Sequence, residues 1–167
     1  SAKGMSFDTA FIQVFRDTYG RLDDRTALSV QWLFGASLPR AETDLKAAAE
    51  KASANGNANL ADALDLVRRY QFVQVYSRIL PLADAVLAED TARRYSIEKG
   101  VLITMPDSTK IEALVVRPNS VKAPLTALLG FTIYANEDWA LNDARIGATY
   151  GYAGVVAYSR GKGLSTG

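Results

Sequence analysis

The chain contains no cysteine and no histidine. The first absence removes disulfides, thiol catalysis and thiolate metal sites, and says little about compartment. The second is more restrictive. A Ser-His-Asp triad needs a proton acceptor poised near neutral pH, and imidazole normally fills that role. These 167 residues cannot assemble such a triad by themselves. Histidine-dependent metal sites are excluded too, leaving carboxylate-type sites, and no cofactor is expected. No apolar run reaches about 18 residues, so no membrane-spanning helix is expected. An excess of either charge is also missing. With 19 basic and 18 acidic side chains, net charge +1 and no charged block, nothing supports nucleic-acid binding or an electrostatic membrane patch. The opening SAKGMSF does not read as a signal peptide.

What is present is a globular composition, 49% apolar and 22% charged, which separates the chain from disordered sequences. Its length allows one ordinary domain, or a small domain with part of a larger one. Character changes near residue 92, which divides a helical region at 1–91 from a region at 92–167 that alternates strand and helix.

Four helices are expected in the first region. FDTAFIQVFRDTY places Phe7, Phe11, Val14 and Phe15 on one face, stopped by Gly20. DDRTALSVQWLFG offers Asp23 or Asp24 as N-cap and Gly35 as a stop. AETDLKAAAEKASA favours helix by propensity up to Asn55-Gly56. A fourth helix starts near Asn59. Leu60, Leu64, Val67, Val75, Ile79, Leu82 and Val86 recur at spacings of three and four, and Pro81 is expected to end or kink it around Ile79. The simplest reading is a bundle burying its own apolar stripes. The alternative puts Trp32, Phe34 and Phe72 in a substrate pocket, although core packing is the commoner fate of such residues.

The second region contains RYSIEKGVLITMP and TKIEALVVRP, two strands joined at Asp107-Ser108 in a hairpin turn. PLTALLGFTIY follows, apolar almost throughout, as expected for a strand buried on both faces. EDWALNDARIGATYG reads as a helix capped by Asn136 with Gly151 after its end, and YAGVVAY as a second buried strand. Strand, helix and strand in this order imply a parallel crossover and the α/β class. One helix cannot cover both faces of such a sheet. The expectation is therefore an incomplete sheet, completed by residues outside this chain.

The last five residues, GLSTG, match the G-x-S-x-G of a nucleophile elbow. An elbow needs its serine on a sharp turn directly between strand and helix. Here Ser159 to Leu164 separate the strand from Ser165, so Ser165 is not expected to be a nucleophile. Phosphate motifs fail as well. Gly161-Lys162 is followed by Gly163 where a P-loop needs Ser or Thr, and Gly161-Lys162-Gly163 lacks the third glycine of a dinucleotide fingerprint.

Three stretches carry a family resemblance. VLITMPDSTKIEALVVRP, APLTALLGFTIYAN and ARIGATYGYAGVVAYSRGKGLSTG resemble the start of the α/β-hydrolase domain in the cocaine-esterase-like and X-prolyl dipeptidyl-peptidase family. That family includes α-amino-acid ester hydrolases and glutaryl acylases. In the third stretch Gly151-Tyr152, Arg160-Gly161, Gly163, Ser165 and Gly167 fall in register with the family pattern. The resemblance covers the segment from about Tyr95 to Gly167. Several positions depart from the pattern and leave the subgroup open. Asp107-Ser108 stands where Asp-Gly is usual, Ile133-Tyr134 replaces Pro-Tyr, Ala135 replaces a frequent Asp, and Ser159 lies where an Asp often precedes Arg-Gly.

The resemblance implies a serine hydrolase acting on ester or amide bonds through an acyl-enzyme. Its substrate is a small-molecule ester or amide, or a peptide. The nucleophile, acid and histidine would come from the C-terminal remainder of the same hydrolase, as a second chain or a further region. Tyr134 matches the tyrosine that donates its hydroxyl to the oxyanion, with Ile133 and Ala135 candidates to flank the acyl pocket. Arg160, Gly161 and Gly163 belong to a structural loop. A different class, a non-catalytic helical module docking on a partner protein, is the alternative.

Overall fold

A computed structural model describes residues 4–54 and 59–167. Five α-helices and four strands are described: α1 Phe7–Tyr19, α2 Asp24–Gln31, α3 Leu38–Ala54, α4 Leu60–Arg94, β1 Tyr95–Thr104, β2 Lys110–Pro118, β3 Ala127–Thr132, α5 Glu137–Thr149 and β4 Ala153–Tyr158. They form two compact units. One comprises Ser1–Arg21 and Ser29–Ala88, the other Leu22–Leu28 and Glu89–Gly167. The fold is mixed α/β, with helices and a mixed four-stranded sheet.

In the helical unit, Ser6 caps α1 by accepting from the Thr9 amide at 3.2 Å. Phe7, Phe11, Phe15 and Tyr19 recur every four residues and stack as a ladder with ring centroids 6.2, 5.7 and 4.7 Å apart. Phe34 meets Phe15 edge-on at 5.6 Å, from a 3-10 turn at Trp32–Gly35 that tightens the chain after α2. Asn59 caps α4 by accepting from the Asp62 amide at 2.9 Å. Two expectations fail here. Pro81 lies inside α4, which runs on to Arg94. Val73, Ala83, Val86 and Leu87 are buried on either side of it, so packing holds the helix through a position where the backbone loses one hydrogen bond. The apolar stripe is also not fully buried. Leu60, Leu64, Val67 and Val75 are each more than half exposed, and the first buried position of the helix is Val73. Asn55-Gly56, the expected stop of α3, lies outside the described residues.

In the sheet unit, Asp23 caps α2, accepting from the amides of Arg25 and Thr26 at 3.1 and 3.0 Å. Arg94 closes the same corner, 2.5 Å from Asp90 and 2.6 Å from Asp24. Burial works against its charge, but the hydrogen bonds to Asp90 and Asp24 outweigh it and raise its pKa.

The strand order is β1-β2-β4-β3. β1 and β2 form the expected hairpin, and β2 pairs antiparallel with β4. β3 and β4 run parallel, from Ala127 opposite Ala153 to Thr132 opposite Tyr158. One extra residue between Glu98 and Val101 makes a bulge in β1, where Gly100 has φ 64°. Ala140, Ala144 and Ala148 present one small-residue face of α5, which packs on Leu114, Val116, Val156 and Tyr158. The fit is close enough that a Cβ on Gly154 would overlap the Ala144 backbone carbonyl.

The strand at Ala127–Thr132 corrects the expectation of a run buried on both faces. Its residues are exposed except for a half-buried Thr132, with Leu129 at 66% and Phe131 at 63%. The reason is topological. β4 inserts between β2 and β3, takes the central, buried position, and leaves β3 at the edge.

Candidate active-site edge

The carboxyl ends of β3 and β4 lie side by side, since the Ser159 amide donates to the Thr132 carbonyl at 2.9 Å. Two connections emerge there. One, 133–136, leads from β3 to α5. The other, 159–167, follows β4.

In the first connection Tyr134 is 63% exposed and its neighbours Ile133 and Ala135 are exposed too. The Tyr134 amide donates to Thr132 Oγ1 at 3.0 Å. Its hydroxyl has no hydrogen-bond partner among the described residues. Asn136 caps α5 as expected, accepting from the Trp139 amide at 3.0 Å. Trp139, 62% exposed, meets Tyr134 edge-to-face with ring centroids 6.3 Å apart. Close by on the first turn of α5, Glu137 lies 2.5 Å from Lys99 Nζ. Hydrogen bonding to Glu137 raises the Lys99 pKa, with the Asp138 charge adding to it.

The second connection is fastened to β2. The Thr166 amide donates to the Lys110 carbonyl, and the Lys110 amide returns a bond to Thr166 Oγ1, both at 2.8 Å. Ser165 is only 7% exposed. Its hydroxyl accepts from the Glu112 amide at 2.9 Å and donates to the Tyr158 carbonyl at 3.1 Å. The Leu164 amide donates to Glu112 Oε2 at 2.5 Å. Gly161 and Gly163 both take positive φ, 69° and 57°, and a Cβ on Gly163 would run into the Glu112 carboxylate. Arg160 pairs with Asp107 at 2.6 Å. Thr109 and Arg160 hydrogen bonds hold the Asp107 carboxyl down to about 2. Behind the loop, burial raises the Tyr158 phenol pKa, with the Glu112 and Glu137 charges adding to it.

The two connections therefore differ in kind. The loop at 159–167 is fastened by the Ser165 hydroxyl, the Thr166 bonds to Lys110 and the Arg160–Asp107 pair, while the Tyr134 corner offers its phenol and apolar neighbours outward. A hydroxyl held between an amide and a carbonyl, on a side chain out of reach of solvent, has no approach for a substrate carbonyl. Ser165 is not placed to attack. Sequence reasoning misses Trp139 and Glu112. The spacing Asn136-x-x-Trp139 is a cap signal that fixes where the indole starts, and Glu112 falls in the alternation of its strand. Their partners are 5 and 52 positions away and leave no local trace.

Along β3 an apolar groove of about 380 Å³ is lined by Leu128, Leu129, Ile146, Tyr150, Tyr152 and Val155, among others. Among the described residues no group of His, Cys, Asp or Glu could hold a metal ion, and no helix is long and apolar enough to cross a membrane. In the helical unit Phe72 lines a groove of about 310 Å³ with Ala41, Asp44, Arg68 and Arg69. Trp32 is exposed and Phe34 half-buried. Of these three aromatics, Phe72 alone lines that groove.

No protein-family model matches the chain, and none of the curated proteins compared with it matches.

Proposed function

We propose that this chain is the N-terminal part of an α/β serine hydrolase that cleaves ester or amide bonds through an acyl-enzyme, as in the cocaine-esterase-like and X-prolyl dipeptidyl-peptidase family. It contributes the oxyanion donor Tyr134 but not the nucleophile. The observation that carries this reading is the open flank of β3. An apolar parallel strand is exposed at the edge, with a tyrosine hydroxyl unengaged at its carboxyl end. A further strand added to that edge would lie on the opposite side of β3 from β4. The strand order would then reverse beside Tyr134, which is where α/β sheets build their sites.

The chemistry fits that placement. When a serine attacks an acyl carbonyl, negative charge gathers on the carbonyl oxygen. A fixed phenolic O–H stabilises that oxygen more than it stabilises the substrate. The histidine comes from polypeptide outside these residues, because the chain has none, and the family resemblance puts the serine and the acid there with it. The substrate is a small ester or amide, or a peptide, and no cofactor is required.

Denaturing mass spectrometry of the natural product, without size selection, comes first. A polypeptide carrying this chain together with a histidine and a second G-x-S-x-G supports the reading, as does a separate chain bearing both. Tyr134→Phe in that enzyme is expected to lower ester hydrolysis about a hundred- to a thousandfold, and unchanged hydrolysis ends the oxyanion claim. A folded, monomeric species of 18 kDa with no hydrolase partner favours the other reading, an interaction module. The exposed Leu60, Leu64, Val67 and Val75 stripe on α4 is the observation on that side.

A further inference from the structure

Resting on the hydrolase reading, the geometry points to Trp139 as the residue that positions the Tyr134 hydroxyl. Tyr134 is an exposed side chain asked to hold a donor still. Its backbone is pinned by Thr132 Oγ1, but that bond leaves both side-chain torsions free. Among the described residues, the ring paired with it is the Trp139 indole, with centroids 6.3 Å apart and planes tilted by 68°. This is the edge-to-face arrangement that aromatic pairs prefer.

Trp139 is itself anchored. Its amide is the one that Asn136 caps, so its backbone is set by the start of α5. That helix is in turn seated by Ala140, Ala144 and Ala148 on the sheet. The corner from Thr132 to Trp139 is thus braced at both ends by a side chain bonded to a backbone amide, with the two rings between the braces. Trp139 has no place in the α5 core face, and more than half of it is open to solvent. Among the described residues the ring contact it makes is with Tyr134.

Oxyanion stabilisation depends on a donor already aimed at where charge will appear, and small misplacements are expensive in rate. Removing the indole leaves the phenol attached but free to swing. Rate is then lost without loss of substrate binding.

The test is a double-mutant cycle in the full-length enzyme, read as kcat and KM on one ester. Trp139→Ala is expected to lower kcat about tenfold or more with KM nearly unchanged, and Trp139→Phe to recover most of it. In a Tyr134→Phe background, Trp139→Ala is expected to add nothing, because the donor it positions is gone. Thermal melting checks that each variant folds, and Trp139→Phe keeps an aromatic ring should Trp139→Ala melt early. Full loss in both backgrounds, no loss in either, or a change confined to KM overturns the positioning role while the hydrolase reading stands. Active enzyme with no loss in Tyr134→Phe removes the oxyanion donor, and the positioning role with it.

Discussion

Arg160 Nη2 lies 2.6 Å from Asp107 Oδ2 and joins the loop after β4 to the turn between β1 and β2. The largest influence on Asp107 is nevertheless Thr109, whose side chain and amide both donate to its Oδ1 at 2.6 and 3.1 Å. The carboxyl is held at about 2, below its ordinary value of 3.8. A lowered carboxylate pKa stabilises the fold fully above the ordinary value, and that contribution is lost as pH falls from about 4 through about 2. Carboxyl-resonance titration by NMR is expected to show Asp107 rising further in Thr109→Val than in Arg160→Gln. The reverse order would make the ion pair the dominant hold.

Ser165→Ala tests whether the buried hydroxyl is structural. The change leaves the Glu112 amide and the Tyr158 carbonyl without their side-chain partner, which costs about 1–3 kcal/mol. Urea unfolding is expected to show that loss, with kcat in the active enzyme falling no more than stability explains. Abolished turnover at unchanged stability would overturn the structural role and make Ser165 a catalytic candidate.

Two glycines at the α5–β4 contact are expected to respond differently. In Gly154→Ala the new methyl meets the backbone of Ala144, which cannot swing away, and overpacking of this kind costs about 1–3 kcal/mol or more. In Gly147→Ala the nearest atom, Gly154 Cα, is 3.4 Å away, and helix propensity gains about 0.8–1 kcal/mol. Thermal melts should place the two on opposite sides of the wild type. Equal effects would mean that α5 is free to shift on the sheet.

Ser108 occupies the hairpin turn with φ 67°, a conformation that costs a non-glycine residue about 1–2 kcal/mol. Its amide still closes the turn on the Met105 carbonyl at 2.9 Å. Ser108→Gly removes the steric cost and adds unfolded-chain entropy, about 0.5–1 kcal/mol in the other direction. Net stabilisation of up to about 1 kcal/mol is expected in denaturant unfolding, and destabilisation would show that the Ser108 side chain holds the turn.

Much of the local structure was legible in the sequence, because local signals set it. Asn136 and Asn59 announced helix starts, Asp107-Ser108 announced the hairpin, and alternation in the Ile111–Val116 stretch announced β2. Four features were not. Whether Pro81 breaks α4 depends on buried neighbours on both sides of it. The apolar run at 127–132 reads the same for a central strand as for an edge strand, since composition records neither partner nor order. The Tyr134–Trp139 contact depends on how sharply the chain turns between β3 and α5, which no residue pattern fixes. The helical stripe from Leu60 to Val75 is periodic but largely uncovered, because periodicity names a face without naming its partner.

The order β1-β2-β4-β3 also sets when the sheet can form. Its central strand, β4, is the last of the four to be synthesised. Until Tyr158 is available, the hairpin and β3 have no common partner, and Val115 must wait for Val155, 40 positions later. Contacts of such separation are slow to close. On a growing chain the α1 ladder and the early turns of α4 can therefore organise first. The sheet assembles in one late step, when β4 enters the space between two pieces already made.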